Sequence, residues 1–102
     1  MKLQDSGLKE KTGVLTVLRA LSDPVRLEIV RQLAACPDER GMTCGSLELP
    51  VSKATASHHF KVLVAAGITA EREEGNRKYM LLRWDDVNRQ YPGLIDLVLT
   101  NE

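Results

Sequence analysis

Apolar residues recur at helical spacing directly after a polar N-terminal stretch. One stripe of a helix over residues 14–21 consists of Val14, Val17, Leu18 and Leu21. Asp23 then offers an N-cap side chain, and Pro24 suits the first turn of a helix, where its missing N–H costs nothing. The pattern therefore predicts one helix over residues 14–21 and a second from Pro24 to about Ala35.

The strongest helical pattern covers residues 51–66. Ser52 is placed to cap its N-terminus, and Gly67 follows its last turn, where left-handed backbone commonly ends a helix. We expect its buried stripe to be Ala56, Phe60, Leu63 and Val64. The preceding segment, residues 42–49, is short and is followed by Pro50, so we expect at most two turns of helix there.

Beyond Gly67 the apolar period changes to two, which predicts a β-hairpin. The sequence indicates one strand over residues 68–73, a Gly-Asn turn over residues 74–77 and a second strand over residues 79–82. Trp84 then begins another helical stretch, and residues 94–99 form a final apolar helix. This order of elements predicts a mainly α fold with a small β-hairpin, which is the winged helix-turn-helix arrangement.

The length of 102 residues fits a single domain. We expect residues 1–13 to be a flexible N-terminal segment and residues 14–102 to form the folded domain. No apolar run approaches the roughly 20 residues that span a membrane, and the polar start lacks the apolar stretch of a secretory signal. We therefore expect a cytoplasmic location and no membrane partner.

The charges are unevenly distributed along the chain, which the net charge does not show. The net charge is zero, which alone argues against nucleic-acid binding. Residues 51–83, however, carry six Lys and Arg against three Glu, a net charge of +3, so the rest of the chain carries −3. His58 and His59 lie in the same basic segment. A domain with charge separated in this way can turn one positive face to phosphates.

Three stretches resemble the ArsR family of small transcriptional repressors. They are LRALSDPVRLEIVRQL at residues 18–33, SKATASHHFKVLVAAGI at 52–68, and REEGNRKYMLL at 72–82. The middle stretch, which resembles the family's recognition helix, is the most specific, and the likeness spans roughly residues 14–99. The resemblance implies a homodimer formed by the first and last helices. It also implies a double-stranded DNA operator with two half-sites, and release of the repressor by an effector.

The sequence departs from the metal-sensing members of that family. The segment Met42-Thr43-Cys44-Gly45 stands where those members carry a cysteine-rich motif, and the last helix lacks their His and acidic cluster. We therefore expect no metal and no cofactor, and the effector stays unknown. Cys36 and Cys44 could form a redox switch or share a thiolate site, but a small core cysteine and an incidental thiol are favoured.

A helix that reads the major groove needs a short polar face at its N-terminal end. His58 lies on that face and can reach base edges, Lys53 and Lys61 suit phosphates, and His59 is expected to pack at the edge of the core. The hairpin tip adds polar and basic side chains. The expected DNA contacts are Ser52, Lys53, Ala54, Thr55, Ser57, His58, Lys61, Asn76, Arg77 and Lys78.

The last helix carries more apolar residues than one buried face of so short a helix can use. They either complete the core or pair with another chain. Together with the first helix they form a candidate dimer patch. The expected interface residues are Val14, Leu15, Leu18, Leu94, Ile95, Leu97 and Val98.

Other classes of protein fit less well. We expect no enzymatic activity, because the chain has two histidines and offers neither a Gly-rich phosphate loop nor a set of nucleophile, base and orienting residue. A winged-helix module that binds a protein partner instead of DNA is the alternative, because the wing contains three glutamates. The sequence also leaves open an activator, or a repressor without an effector.

Overall fold

The computed structural model describes residues 13–38 and 40–100, and these contain five α-helices, three strands and one 3-10 turn. The helices are α1 (Val14–Leu21), α2 (Pro24–Ala35), α3 (Lys53–Ala65), α4 (Trp84–Gln90) and α5 (Leu94–Thr100). The strands are β1 (Met42–Thr43), β2 (Thr69–Glu74) and β3 (Arg77–Leu82), and the 3-10 turn is Cys44–Ser46. The predicted winged helix-turn-helix order is confirmed. The expected flexible segment 1–13 lies outside the described residues, apart from Gly13.

The start of α2 is fixed by the predicted cap. Asp23 Oδ2 accepts hydrogen bonds from the backbone N–H groups of Val25 at 2.9 Å and Arg26 at 3.0 Å. Pro24 occupies the first turn, so the helix begins with its free N–H groups either satisfied or absent. This junction sets the direction in which α2 leaves α1.

The core lies around α2, which packs against α1, α3 and β3. Ile29 and Val30 of α2 are fully buried, as are Leu63 of α3 and Met80 of β3. Burying such side chains contributes about 1.5–3 kcal/mol each, so this cluster is the main force that holds the helices and the hairpin together. The position of α3, on which the site depends, is therefore set by burial against α2.

A three-stranded antiparallel sheet takes the place of the predicted two-stranded hairpin. Its order is β1-β3-β2, and β1 pairs with β3 through Met42 opposite Met80. The short helix expected within residues 42–49 is reduced to one 3-10 turn, Cys44–Ser46, because Met42 and Thr43 pair with β3, which was not predicted. Gly41, the residue before β1, allows the backbone to lie close to β3. Its φ is +90°, and a Cβ at this position would lie 2.0 Å from the Met80 carbonyl oxygen.

Candidate nucleic-acid interface

The segment before α3 is tied to α2 by one glutamine. Gln32 Nε2 donates to the Glu48 carbonyl at 2.9 Å, and Gln32 Oε1 accepts from the Glu48 N–H at 3.1 Å. Leu47 beside it is buried. The backbone that leads into α3 is therefore held on α2 by both hydrogen bonds and burial.

Both ends of α3 are fixed by local capping residues. Ser52 is the N-cap, and its Oγ accepts from the Thr55 N–H at 3.2 Å. At the other end Gly67 has a φ of +78°, and its N–H donates to the Val64 carbonyl while the Ile68 N–H donates to the Leu63 carbonyl. This paired pattern is the Schellman motif. It turns the chain directly into β2 and so sets where the wing stands beside the helix.

The outer face of α3 is polar and exposed. Ala56, Phe60 and Leu63 of the predicted stripe are buried, but Val64 is 36% exposed and was wrongly placed in the core. Val64 follows Leu63 by one residue, so it points about 100° away from it around the helix. Every α3 side chain expected to contact DNA is exposed: Lys53, Ala54, Thr55, Ser57 and His58 in the N-terminal half, and Lys61 beyond the middle of the helix. The cap residue Ser52 is exposed as well.

His59 lies on the inner side of this face. Its side chain is only 12% exposed, and its Nδ1 lies 3.0 Å from the Arg26 guanidinium and 3.9 Å from Asp23 Oδ2. Arg26 also donates through Nε to the Ala20 carbonyl at 2.7 Å. His59 therefore anchors α3 to the junction of α1 and α2, while its neighbour His58 stays exposed.

The wing ends in a tight two-residue turn. Glu74 pairs with Arg77, and Gly75 between them has a φ of +65° while Asn76 stays at negative φ. A positive φ at the first central residue alone is the pattern of a type II′ turn, which matches the twist of the strands. All three wing residues expected at DNA are exposed: Asn76, Arg77 and Lys78.

The acidic residues of the wing are partly neutralised within the fold. Glu74 Oε1 lies 3.5 Å from Arg72 and 3.9 Å from Arg40, while Glu71 lies 4.0 Å from Lys78. The guanidinium groups of Arg40 and Arg72 also lie 5.7 and 5.3 Å from the ring centre of Tyr79. Sequence reasoning missed this stack, because Arg40 and Tyr79 belong to a loop and a strand far apart in the chain.

Three cationic side chains of the site form no ion pair with the described residues. Within the described ranges, Lys53, Lys61 and Arg77 have no carboxylate within 4.0 Å. Two of them flank the exposed face of α3 and the third stands at the wing tip. Unpaired cations suit a polyanion, because each can neutralise a phosphate without first breaking an internal ion pair.

The expected dimer residues fall into three groups. Val14, Leu15, Leu18 and Leu97 are between 45% and 58% exposed. Leu94 and Val98 are partly buried against the core. Ile95 is fully buried within this chain, so it completes the core and does not present its side chain to a partner. The expected interface residues that remain well exposed are therefore fewer than predicted, and they belong to α1 and α5.

The structure also locates the thiols and other features considered from sequence. Cys36 and Cys44 are both half-buried and free. Residues 13–38 and 40–100 hold no group of three or more His, Cys, Asp or Glu side chains placed to bind a metal ion. Among the same residues, no helix has the length and apolar character required to cross a bilayer.

A capped helix that presents a polar face beside a β-wing defines the helix-turn-helix class of transcriptional regulators, and comparison with known proteins agrees. A family model described as a helix-turn-helix domain matches residues 21–72. An uncharacterized helix-turn-helix-type transcriptional regulator of Bacillus subtilis, YceK, is 39% identical over 82 residues, which cover 78% of this chain and 80% of that protein.

Two further comparisons concern a named repressor and a solved structure. The arsenical resistance operon repressor of Staphylococcus xylosus is 41% identical over 63 residues, covering 61% of this chain and 58% of that protein. The solution structure of a homodimeric winged helix-turn-helix DNA-binding domain from Mycobacterium bovis, a possible ArsR-family regulator, superposes with a TM-score of 0.72. It is 24% identical and covers 99% of this chain and 88% of that one, which shows the shared fold. The chain belongs to the ArsR-like family of helix-turn-helix transcriptional regulators.

Proposed function

We propose that this protein is a homodimeric, sequence-specific DNA-binding repressor of the ArsR type that an effector releases from its operator. The observation that carries the proposal is the exposed polar face of α3, with Lys53 and Lys61 unpaired and the cationic tip of the wing on the same domain. It acts where its operator lies, in the cytoplasm, and needs no catalytic step.

The residues divide the work between affinity and specificity. Lys53 and Lys61 neutralise phosphates, which positions the helix without reading sequence. The capped N-terminus of α3 adds free backbone N–H groups and the positive end of the helix dipole. His58 reads base edges from the middle of the exposed face, where Ala54 and Ser57 are small enough to let the helix approach closely. Arg77 and Lys78 of the wing hold the DNA backbone beside the half-site, with Asn76 at the turn.

Dimerisation follows from the exposed apolar side chains of α1 and α5. Val14, Leu15, Leu18 and Leu97 would otherwise remain in water at a cost of roughly 25 cal/mol per Å² of apolar surface. The homodimeric state of the Mycobacterium bovis domain supports the same assembly here. A twofold dimer places two α3 helices in successive major grooves, about 34 Å apart. Repression, as opposed to activation, is supported by the name of the Staphylococcus xylosus relative.

The deciding experiment titrates the purified full chain against duplexes from its own upstream region and against random duplexes of equal length, at low and at physiological salt. We expect selective binding. The logarithm of the affinity should fall linearly with the logarithm of the salt concentration, with a slope of about −0.9 per phosphate contact. Equal affinity for both duplexes would reject sequence-specific recognition. Failure to bind either at low salt would reject DNA as the partner and leave a protein-binding winged helix.

A further inference from the structure

A pocket opens between α3 and the wing, on the side that faces the proposed DNA. It has a volume of about 280 Å³. Phe60 and Ala56 of α3 and Cys44 of the 3-10 turn supply its apolar lining, while Lys53, Lys78 and Glu71 supply charge. We call it the helix–wing pocket. A cavity of about 150 Å³ is enough for benzene, so this pocket has room for an aromatic ring that carries a small polar group.

The charges around the helix–wing pocket favour an anion. Lys53 has no carboxylate within 4.0 Å among the described residues, and Lys78 and Glu71 stand 4.0 Å apart. Burial, with the charge of Glu71, raises the pKa of the Cys44 thiol, so the thiol is uncharged at neutral pH. Two cations against one carboxylate leave a net charge of +1 beside an apolar surface. An adjoining, shallower recess shares Cys44, Gly45 and Lys78 with this pocket and adds Arg77, which increases the positive potential on this side.

We infer that the helix–wing pocket binds a small aromatic carboxylic acid, whose ring packs on Phe60 and whose carboxylate lies between Lys53 and Lys78. Pockets that bind small molecules combine an apolar lining with a few convergent polar groups, and this one does so. The consequence for regulation rests on the proposed function. Because Lys53, Ser57 and Lys78 both line the pocket and belong to the proposed DNA surface, the acid and the operator exclude one another. The bound acid would therefore be the effector that releases the protein.

The two cysteines allow binding to be measured without DNA. Cys44 lines the helix–wing pocket, whereas Cys36 lines a separate pocket with Leu33 and Trp84. The rate at which neutral iodoacetamide alkylates each thiol is followed by mass spectrometry of the folded full chain. We expect benzoate to slow alkylation of Cys44 in a saturable way and to leave Cys36 unchanged. Acetate lacks the ring and benzamide lacks the charge, so both are expected to protect Cys44 several-fold less.

A matched pair of lysine variants tests the carboxylate contact. Lys53→Gln should abolish the advantage of benzoate over benzamide, while Lys61→Gln, which changes an exposed lysine outside the pocket, should keep it. The inference is overturned if benzoate at millimolar concentration leaves the Cys44 rate unchanged, slows Cys36 equally, or protects no better than benzamide.

The regulatory part has its own readout. Fluorescence anisotropy of a labelled operator duplex should fall as benzoate is added, and equal concentrations of sodium chloride should release several-fold less. Protection of Cys44 without release would overturn the role as effector and keep the pocket. Protection of Cys44 in a chain that binds no duplex would overturn the proposed function and also keep the pocket.

Discussion

The guanidinium of Arg26 lies 3.0 Å from Nδ1 of His59 and joins the start of α2 to the middle of α3. A guanidinium only donates, so Nδ1 of His59 accepts and the ring carries its proton on Nε2. Through Nε, Arg26 also holds the Ala20 carbonyl at the end of α1. One side chain thus connects the helix proposed to pair with a partner to the helix proposed to read DNA.

The first prediction concerns the energy of this connection. Arg26→Leu, His59→Leu and the double variant form a cycle whose free energies of unfolding are measured in urea. Hydrogen bonds to charged groups contribute about 1.5–3 kcal/mol, so we expect His59→Leu to destabilise by roughly that amount and Arg26→Leu by more, because Arg26→Leu also removes the bond to the Ala20 carbonyl. The effects should not add, because both variants remove the same bond.

The neighbouring histidine supplies the control for this cycle. His58→Ala removes an exposed side chain and should change the free energy of unfolding by no more than about 0.5 kcal/mol. Additive effects of the Arg26 and His59 variants would show that the two side chains contribute independently, and the connection between the helices would be rejected.

The second prediction concerns acid. The backbone N–H of Arg26, with that of Val25, lowers the pKa of Asp23 below its usual value. The charged carboxylate therefore stabilises the fold above the unfolded pKa of about 3.9, and this contribution is lost as pH falls through the lower folded pKa. Asp23→Asn keeps a side chain that caps but cannot titrate. The difference in free energy of unfolding between wild type and Asp23→Asn, measured in urea, should be largest near neutral pH. It should shrink as the pH falls below about 4. A gap that does not change with pH would exclude a stabilising charge on Asp23.

What could be predicted from the sequence was decided by local signals. Asp23, Ser52 and Gly67 act within a few residues of their own positions, so their roles follow from spacing alone, and the structure confirms all three. The strand at Met42 was missed because its partner, Met80, is distant in the chain and the approach depends on backbone contact. A two-residue strand also leaves no period to detect.

At the candidate interface, too, features set by local signals could be predicted and contacts between distant residues could not. Exposed side chains on α3 could be predicted, because helical periodicity assigns them to one face once Phe60 is placed inside. The placement of His59 at the edge of the core was predicted, but its partner was not, because Arg26 is 33 residues away. The choice of Ile95 as an interface residue failed for a related reason. An apolar helix does not by itself show which of its residues the chain covers.

The third prediction separates affinity from specificity on one helix face. Lys61→Ala should weaken binding to operator and random duplexes by the same factor and reduce the salt slope of the dimer by about 1.8, because one phosphate contact is lost from each subunit. His58→Ala should cost roughly 1–3 kcal/mol on the operator and little on random DNA, because it removes a base contact. Anisotropy titrations at several salt concentrations measure both. Equal losses on both duplexes for His58→Ala would remove it as a base reader.

The fourth prediction tests the close approach at Gly41. Gly41→Ala places a Cβ against the Met80 carbonyl and requires a positive φ, so it should destabilise the fold by more than about 1 kcal/mol. Gly45→Ala is the matched control, because a Cβ there meets nothing within 4 Å and no positive φ is needed. Thermal unfolding followed by circular dichroism compares them. A Gly41→Ala protein as stable as Gly45→Ala would mean that β1 does not lie against β3 in solution.

The fifth prediction links assembly to DNA binding. Leu18→Glu places a charge on the exposed apolar face of α1, whereas Thr16→Glu places the same charge on an exposed polar position of that helix. Light scattering at micromolar concentration should give a dimer for wild type and Thr16→Glu and a monomer for Leu18→Glu, because burying an unpaired charge is costly. A dimeric Leu18→Glu protein would move the interface away from this face.

Since each subunit supplies its own phosphate contacts, the monomer should also bind operator DNA with about half the salt slope of the dimer. An unchanged slope would mean that one subunit makes all the contacts, and the two-half-site model would then fail even if the protein is a dimer.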